Sequence, residues 1–164
     1  MLDYTLVSAK ATYRLLTPRD LPIFLRLAQA AWSERQDVPP FDPQRVLATV
    51  KELQPARGKG SVYVFEREAK LAGFCYLVNR WSSAECGTVL VVDELYVEPS
   101  LRALDLAGDF LLLVAKVAPP GSTSVRVEIT GSRPRDRRAR AAEYARLGFR
   151  KSGGDVLSLR IPRA

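Results

Sequence analysis

The sequence predicts a single α/β (α+β) domain in which a mixed, mostly antiparallel central sheet carries helices on both faces. Three observations predict it. Between Ser61 and Val97 the apolar residues recur with the period of strands and are interrupted by two polar turns. Leu101 to Val117 is apolar around nearly its whole circumference, so it reads as a helix buried against a sheet. Upstream, two stretches show helical spacing of apolar residues, each opened by a proline-containing start signal. The 164 residues suit one domain, 1–164, with Met1 to Ala11 as a short lead, and such a chain buries about two thirds of its unfolded surface.

Thr12 to Leu16 reads as the first strand. Thr17-Pro18-Arg19-Asp20 opens a helix with Pro22 in its first turn, where a missing N–H costs nothing, and Leu21, Phe24, Leu25, Ala28 and Trp32 form its buried stripe. Gln36 to Pro40 breaks it. Asp42 is an N-cap followed by Pro43 at the first helical position, and Val46, Leu47, Val50 and Leu53 give the second helix its apolar face before Pro55. Val62 to Phe65, Leu71 to Val78 and Thr88 to Val97 make a three-strand antiparallel meander. The long apolar helix stops at Pro119-Pro120-Gly121, and Ser124 to Ile129 alternates as a fifth strand. Asp136 caps a helix that runs to Leu147, with Gly148 as its left-handed C-terminal residue, and Val156 to Ile161 is the last strand.

The composition excludes whole classes of chemistry. The chain has no histidine, which rules out Ser-His-Asp and Cys-His catalysis and His-ligated zinc or iron within one chain, and no metal is expected. No segment reaches the 18 apolar residues of a membrane span, and the lead lacks a signal-type apolar run, so a cytoplasmic protein is expected. Cys75 and Cys86 are expected as free core thiols on neighbouring strands. The net charge of +7 is uneven, because Arg133 to Arg150 holds seven arginines against Asp136 and Glu143.

Two segments carry more specific information. Val92-Asp93-Glu94-Leu95-Tyr96-Val97-Glu98-Pro99-Ser100-Leu101-Arg102 resembles the fourth-strand signature of the GNAT family of N-acetyltransferases, in which an acidic residue and an L-Y-V-x-P-x-x-R run lead into the cofactor loop. Tyr144-Ala145-Arg146-Leu147-Gly148-Phe149 is similar to the same family's Y-x-x-L-G-F run. The two runs, with the matching element order from Thr12 to Ile161, cover nearly the whole chain. Gly73-Phe74 through Trp81-Ser82-Ser83 to the acidic pair most resembles the branch acting on polyamines and related small amines.

The resemblance implies a GNAT-like acyl-CoA acyltransferase fold, with acetyl-CoA as cosubstrate in a wedge between the strands 88–97 and 124–129. Backbone groups of Leu95, Tyr96 and Val97 would pair with the pantetheine like an added strand, and Val97 N–H would polarise the thioester carbonyl. The acceptor is a small-molecule amine, or a peptide amine, attacking directly in a ternary complex. With no histidine, the proton of its ammonium falls to a carboxylate or tyrosine. Asp93 and Glu94 occupy the family's acidic positions. Adjacent strand residues face opposite sides and a bulge reverses which faces the cleft, so Glu94 is favoured and Asp93 kept beside it. Solvated strand acids would read the same. Tyr144 would protonate the departing thiolate, or else simply pack at the helix–sheet junction. The substrate pocket is expected from Trp32 to Phe41 and from the turn Arg80 to Ser83, with Glu34, Asp37 and Asp42 attracting a cation and Trp32, Trp81 and Phe41 offering aromatic faces.

One segment departs from the family. Its pyrophosphate loop, R-G-x-G-x-G or A, works because glycines let backbone N–H groups approach phosphates at a helix N-terminus. The matching residues here are Arg102-Ala103-Leu104-Asp105-Leu106-Ala107-Gly108, with both early glycines replaced. A carboxylate at Asp105 about 4 Å from a phosphate charge repels it by on the order of 4 kcal/mol at an effective dielectric of 20. Asp105 either complements its helix dipole or satisfies the amides that would cradle the phosphate. The arginines 133–140, with Arg137 at a position where the family contacts the pantetheine arm, are either compensating cofactor contacts or an exposed basic face. Nucleic-acid binding is disfavoured, since no aromatics interleave the cluster. The resemblance also implies a homodimer through the C-terminal strands. The rival expectation is a binding or regulatory module that keeps the fold without turnover.

Overall fold

The computed structural model describes residues 5–35, 38–129, 134–154 and 156–161, the side chains of 134–136 excepted. Asp37, Arg133 and the side chains of Arg135 and Asp136, all named above, therefore lie outside the described residues. An eight-stranded sheet runs in the order β1-β2-β3-β4-β5-β6-β8-β7. Its strands are β1 (Leu6–Val7), β2 (Thr12–Leu15), β3 (Gly60–Arg67), β4 (Lys70–Ser82), β5 (Gly87–Val97), β6 (Ser122–Glu128), β7 (Arg150–Gly153) and β8 (Val156–Arg160). Every pairing is antiparallel except β5 with β6, which the crossover helix between them makes parallel. Helices α1 (Leu21–Ser33) and α2 (Pro43–Glu52) cover one face, and α3 (Leu106–Val117) and α4 (Pro134–Arg146) the other.

Each face has its own core. Tyr13, Tyr63, Phe65 and Phe110 meet on the α3 face, with Phe65 and Phe110 rings 4.9 Å apart, and Cys75, Leu90, Val92 and Val97 extend that core along the sheet. Phe24 of α1 packs edge-on to Phe74 of β4 at 5.1 Å on the other face, joined by Tyr76 and Tyr96. A third constraint fastens the start of α1 to the sheet edge. Arg14 on β2 grips both oxygens of Asp20 at 2.8 and 3.0 Å, while Asp20 also accepts from Thr17 N–H at 2.8 Å. The guanidinium holds the Asp20 carboxyl down at about 2.

Several expectations need correction. The helix expected from Leu101 begins only at Leu106, because Pro99 to Leu104 form a 3-10 turn and Asp105 adopts the left-handed conformation (φ 53°). Leu112 is 44% exposed, so α3 is not buried all round. Helix α4 starts at Pro134, which leaves Asp136 inside its first turn and not at the cap. Gly148 does take the left-handed position that ends the helix (φ 90°). Both cysteines are free, but Cys86 is exposed in the β4–β5 turn and is not a core thiol. Among the described residues no helix is long and apolar enough to cross a membrane.

The Asp20 pairing generates a prediction with a definite sign. Its folded pKa lies below the unfolded value of 3.8, so the stabilisation is present above pH 4 and is lost as pH falls towards 2. Asp20→Asn should cost about 2 kcal/mol in urea unfolding at pH 7, and the gap to wild type should close as pH falls from about 4 to about 2. A gap that persists unchanged at pH 2 contradicts the charge pairing.

Candidate functional site

The register of β4 against β5 builds the site. Cys75 pairs with Leu95 and Tyr76 with Glu94, yet Leu77 pairs with Val92, so Asp93 is an extra residue in β5. Such a bulge bends its strand and shifts which face each side chain takes. Val92 belongs to the α3 face; Tyr76, the cross-strand partner of Glu94, belongs to the α1/α2 face. Normal alternation from Val92 sends Asp93 to the α1/α2 side, and the bulge keeps Glu94 there too. Both carboxylates consequently line one cavity, of about 270 Å3, with Ala28, Trp32, Arg35 and Tyr76 among its other walls.

The same residue marks where the sheet opens. Pairing of β5 with β6 ends at Val92 and Val127, directly before the bulge. Beyond it the β6 side of β5 has no ladder partner among the described residues. Glu98 N–H bonds to Ala72 carbonyl at 2.9 Å, which makes Glu98, Tyr96 and Glu94 the residues whose backbone faces β4. Leu95 and Val97 therefore turn their backbone groups towards the opening. Tyr96 does not; its backbone is spent on β4 and its ring packs 5.9 Å from Phe74, which corrects its place among the expected cofactor contacts.

Electrostatics distinguish the two acids. Glu94 keeps 17% of its side-chain surface and pairs with Arg35 at 2.8 Å, whereas Asp93 is exposed. Burial pushes the Glu94 pKa up, Arg35 pulls it down, and the neighbouring Asp93 charge pushes it up again, with a net rise. Arg35 lies over the Trp32 ring at 4.9 Å, and Trp32 donates its indole N–H to Pro39 carbonyl at 2.8 Å.

Tyr144 lies on the other face, packed 5.4 Å from Phe149 and against the core that contains Cys75, the partner of Leu95. Burial raises its pKa, so it stays protonated at neutral pH. Tyr144 thus packs at the helix–sheet junction, against the same core as the partner of Leu95.

The remaining expected residues are more scattered. Arg102 donates Nε–H to Val97 carbonyl at 3.0 Å and pairs with Glu34, which removes Glu34 from the cavity's acids. Ala103 and Leu104 sit in the 3-10 turn, and Leu106, Ala107 and Gly108 begin α3. Asp105 is the N-cap of α3 and accepts from Gly108 N–H at 3.2 Å. A Cβ at position 108 would lie 2.5 Å from Asp105 Oδ1, so the carboxylate rests directly over the glycine. Arg137 lies in the first half of α4. Arg80 to Ser83 do not line the cavity, because Trp81 pairs with Thr88 at the far end of β5, and Trp81 is 70% exposed. Sequence reading missed Arg35 and Arg45; their spacing of three from Trp32 and Asp42, across the end of α1 and the start of α2, was the available signal.

No family model matches the sequence, and no curated protein matches it. Solved structures do. A GNAT family acetyltransferase from Brucella melitensis in complex with acetyl-CoA superposes with a TM-score of 0.64 at 14% identity, over 95% of this chain and 91% of that one. RimL, a ribosomal L7/L12 alpha-N-protein acetyltransferase in complex with coenzyme A, gives 0.70 at 14% identity over 96% and 97%. An N-acetyltransferase from Staphylococcus aureus Mu50 gives 0.66 at 16% identity over 94% and 100%. The chain has the GNAT acyltransferase fold.

The open side of Leu95 and Val97 fits the amide-bearing arm of a pantetheine. The α3 N-terminus fits a diphosphate only with Asp105 withdrawn from Gly108 N–H, since the carboxylate now takes the donor and the space above it.

Two outcomes follow. Asp105→Gly should tighten CoA binding about tenfold by calorimetry, and equal affinities would show that the cap does not compete. In carboxyl NMR titrations Glu94 should titrate above the ordinary glutamate range, moving higher in Arg35→Met and lower in Asp93→Asn, because the first change removes a favourable charge and the second an unfavourable one.

Proposed function

We propose that this protein transfers the acetyl group of acetyl-CoA to a primary amine by direct attack in a ternary complex. The observation that carries the reading is the bulge at Asp93, which turns Glu94 into a partly open cavity at the point where β5 separates from β6. Acetyl-CoA supplies a thioester-activated acetyl group. Glu94 accepts the proton of the acceptor's ammonium, for which a raised pKa and partial burial suit it, and Asp93 beside it adds negative charge that draws a cation in. As the new N–C bond forms and the C–S bond breaks, Tyr144 hands its phenolic proton to the departing thiolate, and the second proton released by the acceptor nitrogen returns through solvent to the tyrosinate. Val97 N–H, facing the opening, stabilises charge on the carbonyl oxygen.

A second reading is favoured by Asp105 alone: a module that keeps the wedge and binds a partner or other ligand without turnover, its phosphate cradle closed by its own carboxylate.

Thiol release from acetyl-CoA across a panel of primary amines separates the two. Release with at least one amine, reduced by about 100-fold or more in Glu94→Gln and in Tyr144→Phe, is the expected result. The kcat/KM profile should lose activity below the raised Glu94 pKa, since only the carboxylate is a base. No release with any amine, together with no thermal shift by CoA, favours the module.

A further inference from the structure

The cavity between α1, α2 and β5 is not a plain anionic sink. Its lining includes three acids, Asp42, Asp93 and Glu94, but also two arginines, Arg35 and Arg45. The Glu94 carboxylate that lines the cavity is already paired with Arg35 at 2.8 Å. An ammonium that reaches Glu94 takes the place of that guanidinium. Arg35 does not simply leave, because the Trp32 ring beneath it, itself tied to Pro39, holds it at the cavity wall.

We infer that the acceptor is a small apolar α-amino acid, bound as a zwitterion with its ammonium on Glu94 and its carboxylate on Arg35; the inference rests on the acetyl-transfer reading above. A simple amine would pair with Glu94 and leave the guanidinium without its anion. An α-amino acid brings a carboxylate on the next carbon, so each half of the broken ion pair finds a new partner, and a planar guanidinium takes a carboxylate through two parallel hydrogen bonds. A polyamine fits poorly, since its second ammonium meets Arg35 or Arg45. Two acids of the lining remain: Asp93 stands directly beside Glu94 and reinforces the place of the first ammonium, and Asp42 already accepts Gln44 N–H at 2.9 Å and pairs with Arg45 at 3.5 Å. Ala28, Phe41 and Val46 provide the apolar wall against which a side chain would pack, within a volume of about 270 Å3.

The test compares leucine with isopentylamine, phenylalanine with 2-phenylethylamine, and both with spermidine, by thiol release from acetyl-CoA. The amino acid of each pair should be preferred in kcat/KM by about tenfold or more, the ratio should fall close to one in Arg35→Met, and Arg35→Lys should restore part of it. A wild-type preference for the amines or spermidine overturns the inference while leaving acetyl transfer intact. So does a ratio unaltered in Arg35→Met. If no acceptor releases thiol, the acetyl-transfer reading fails and calorimetry with leucine and isopentylamine alone decides the pocket. Leucine binding about tenfold tighter, and losing that margin in Arg35→Met, supports the inference; equal or tighter amine binding overturns it.

Discussion

The extra residue at Asp93 is the constraint on which the site depends. A regular β5 would send Glu94 and Tyr96 to the α3 face with Val92, and would leave Leu95 and Val97 to the α1/α2 side. The bulge reverses this, so that Leu95 and Val97 join the α3-face core while Glu94 and Tyr96 face α1. It also sits at the last point of contact between β5 and β6. One insertion thus gathers the acids into a cavity and lies where a strand edge opens.

That opening is tolerable only because the sheet is fixed firmly on both sides of it. The aromatic cluster of Tyr13, Phe65 and Phe110 ties α3 to β2 and β3, and Tyr13 hydroxyl, 2.6 Å from Asp109 Oδ2, pins the first turn of α3. Phe24, Phe74 and Tyr76 do the same for α1. The cavity and the opening are then set on rigid elements, and the residues that gate them, Arg35 and Asp105, are both held by contacts that a ligand of opposite or matching charge would compete for.

Asp105 shows the tension between folding and binding most directly. A left-handed N-cap costs a non-glycine residue backbone energy, and the bond to Gly108 N–H returns part of it by satisfying a helix-end donor. The same donor is what an anion would use. Stability of the free chain and affinity for a phosphate therefore draw on one N–H group.

Local patterning in the sequence determined much of this. The order of the four helices and of six of the eight strands, the Asp42-Pro43 cap, the left-handed Gly148 and the absence of imidazole chemistry follow from period, capping and composition, which act over a few residues; the short strands β1 and β7 carry no such pattern and form only by pairing with β2 and β8. The pair Asp93-Glu94 was visible as a pair, with a bulge as a stated alternative. Which way they face was not, because alternation fixes relative direction along a strand and only pairing with β4 reveals that one residue is surplus. Arg35 reaching Glu94, Arg102 reaching Glu34 and Val97, and the distance of Trp81 from the cavity are likewise contacts between residues far apart in the chain. They depend on register and on the seat of α1 against the sheet, and these only the tertiary structure decided.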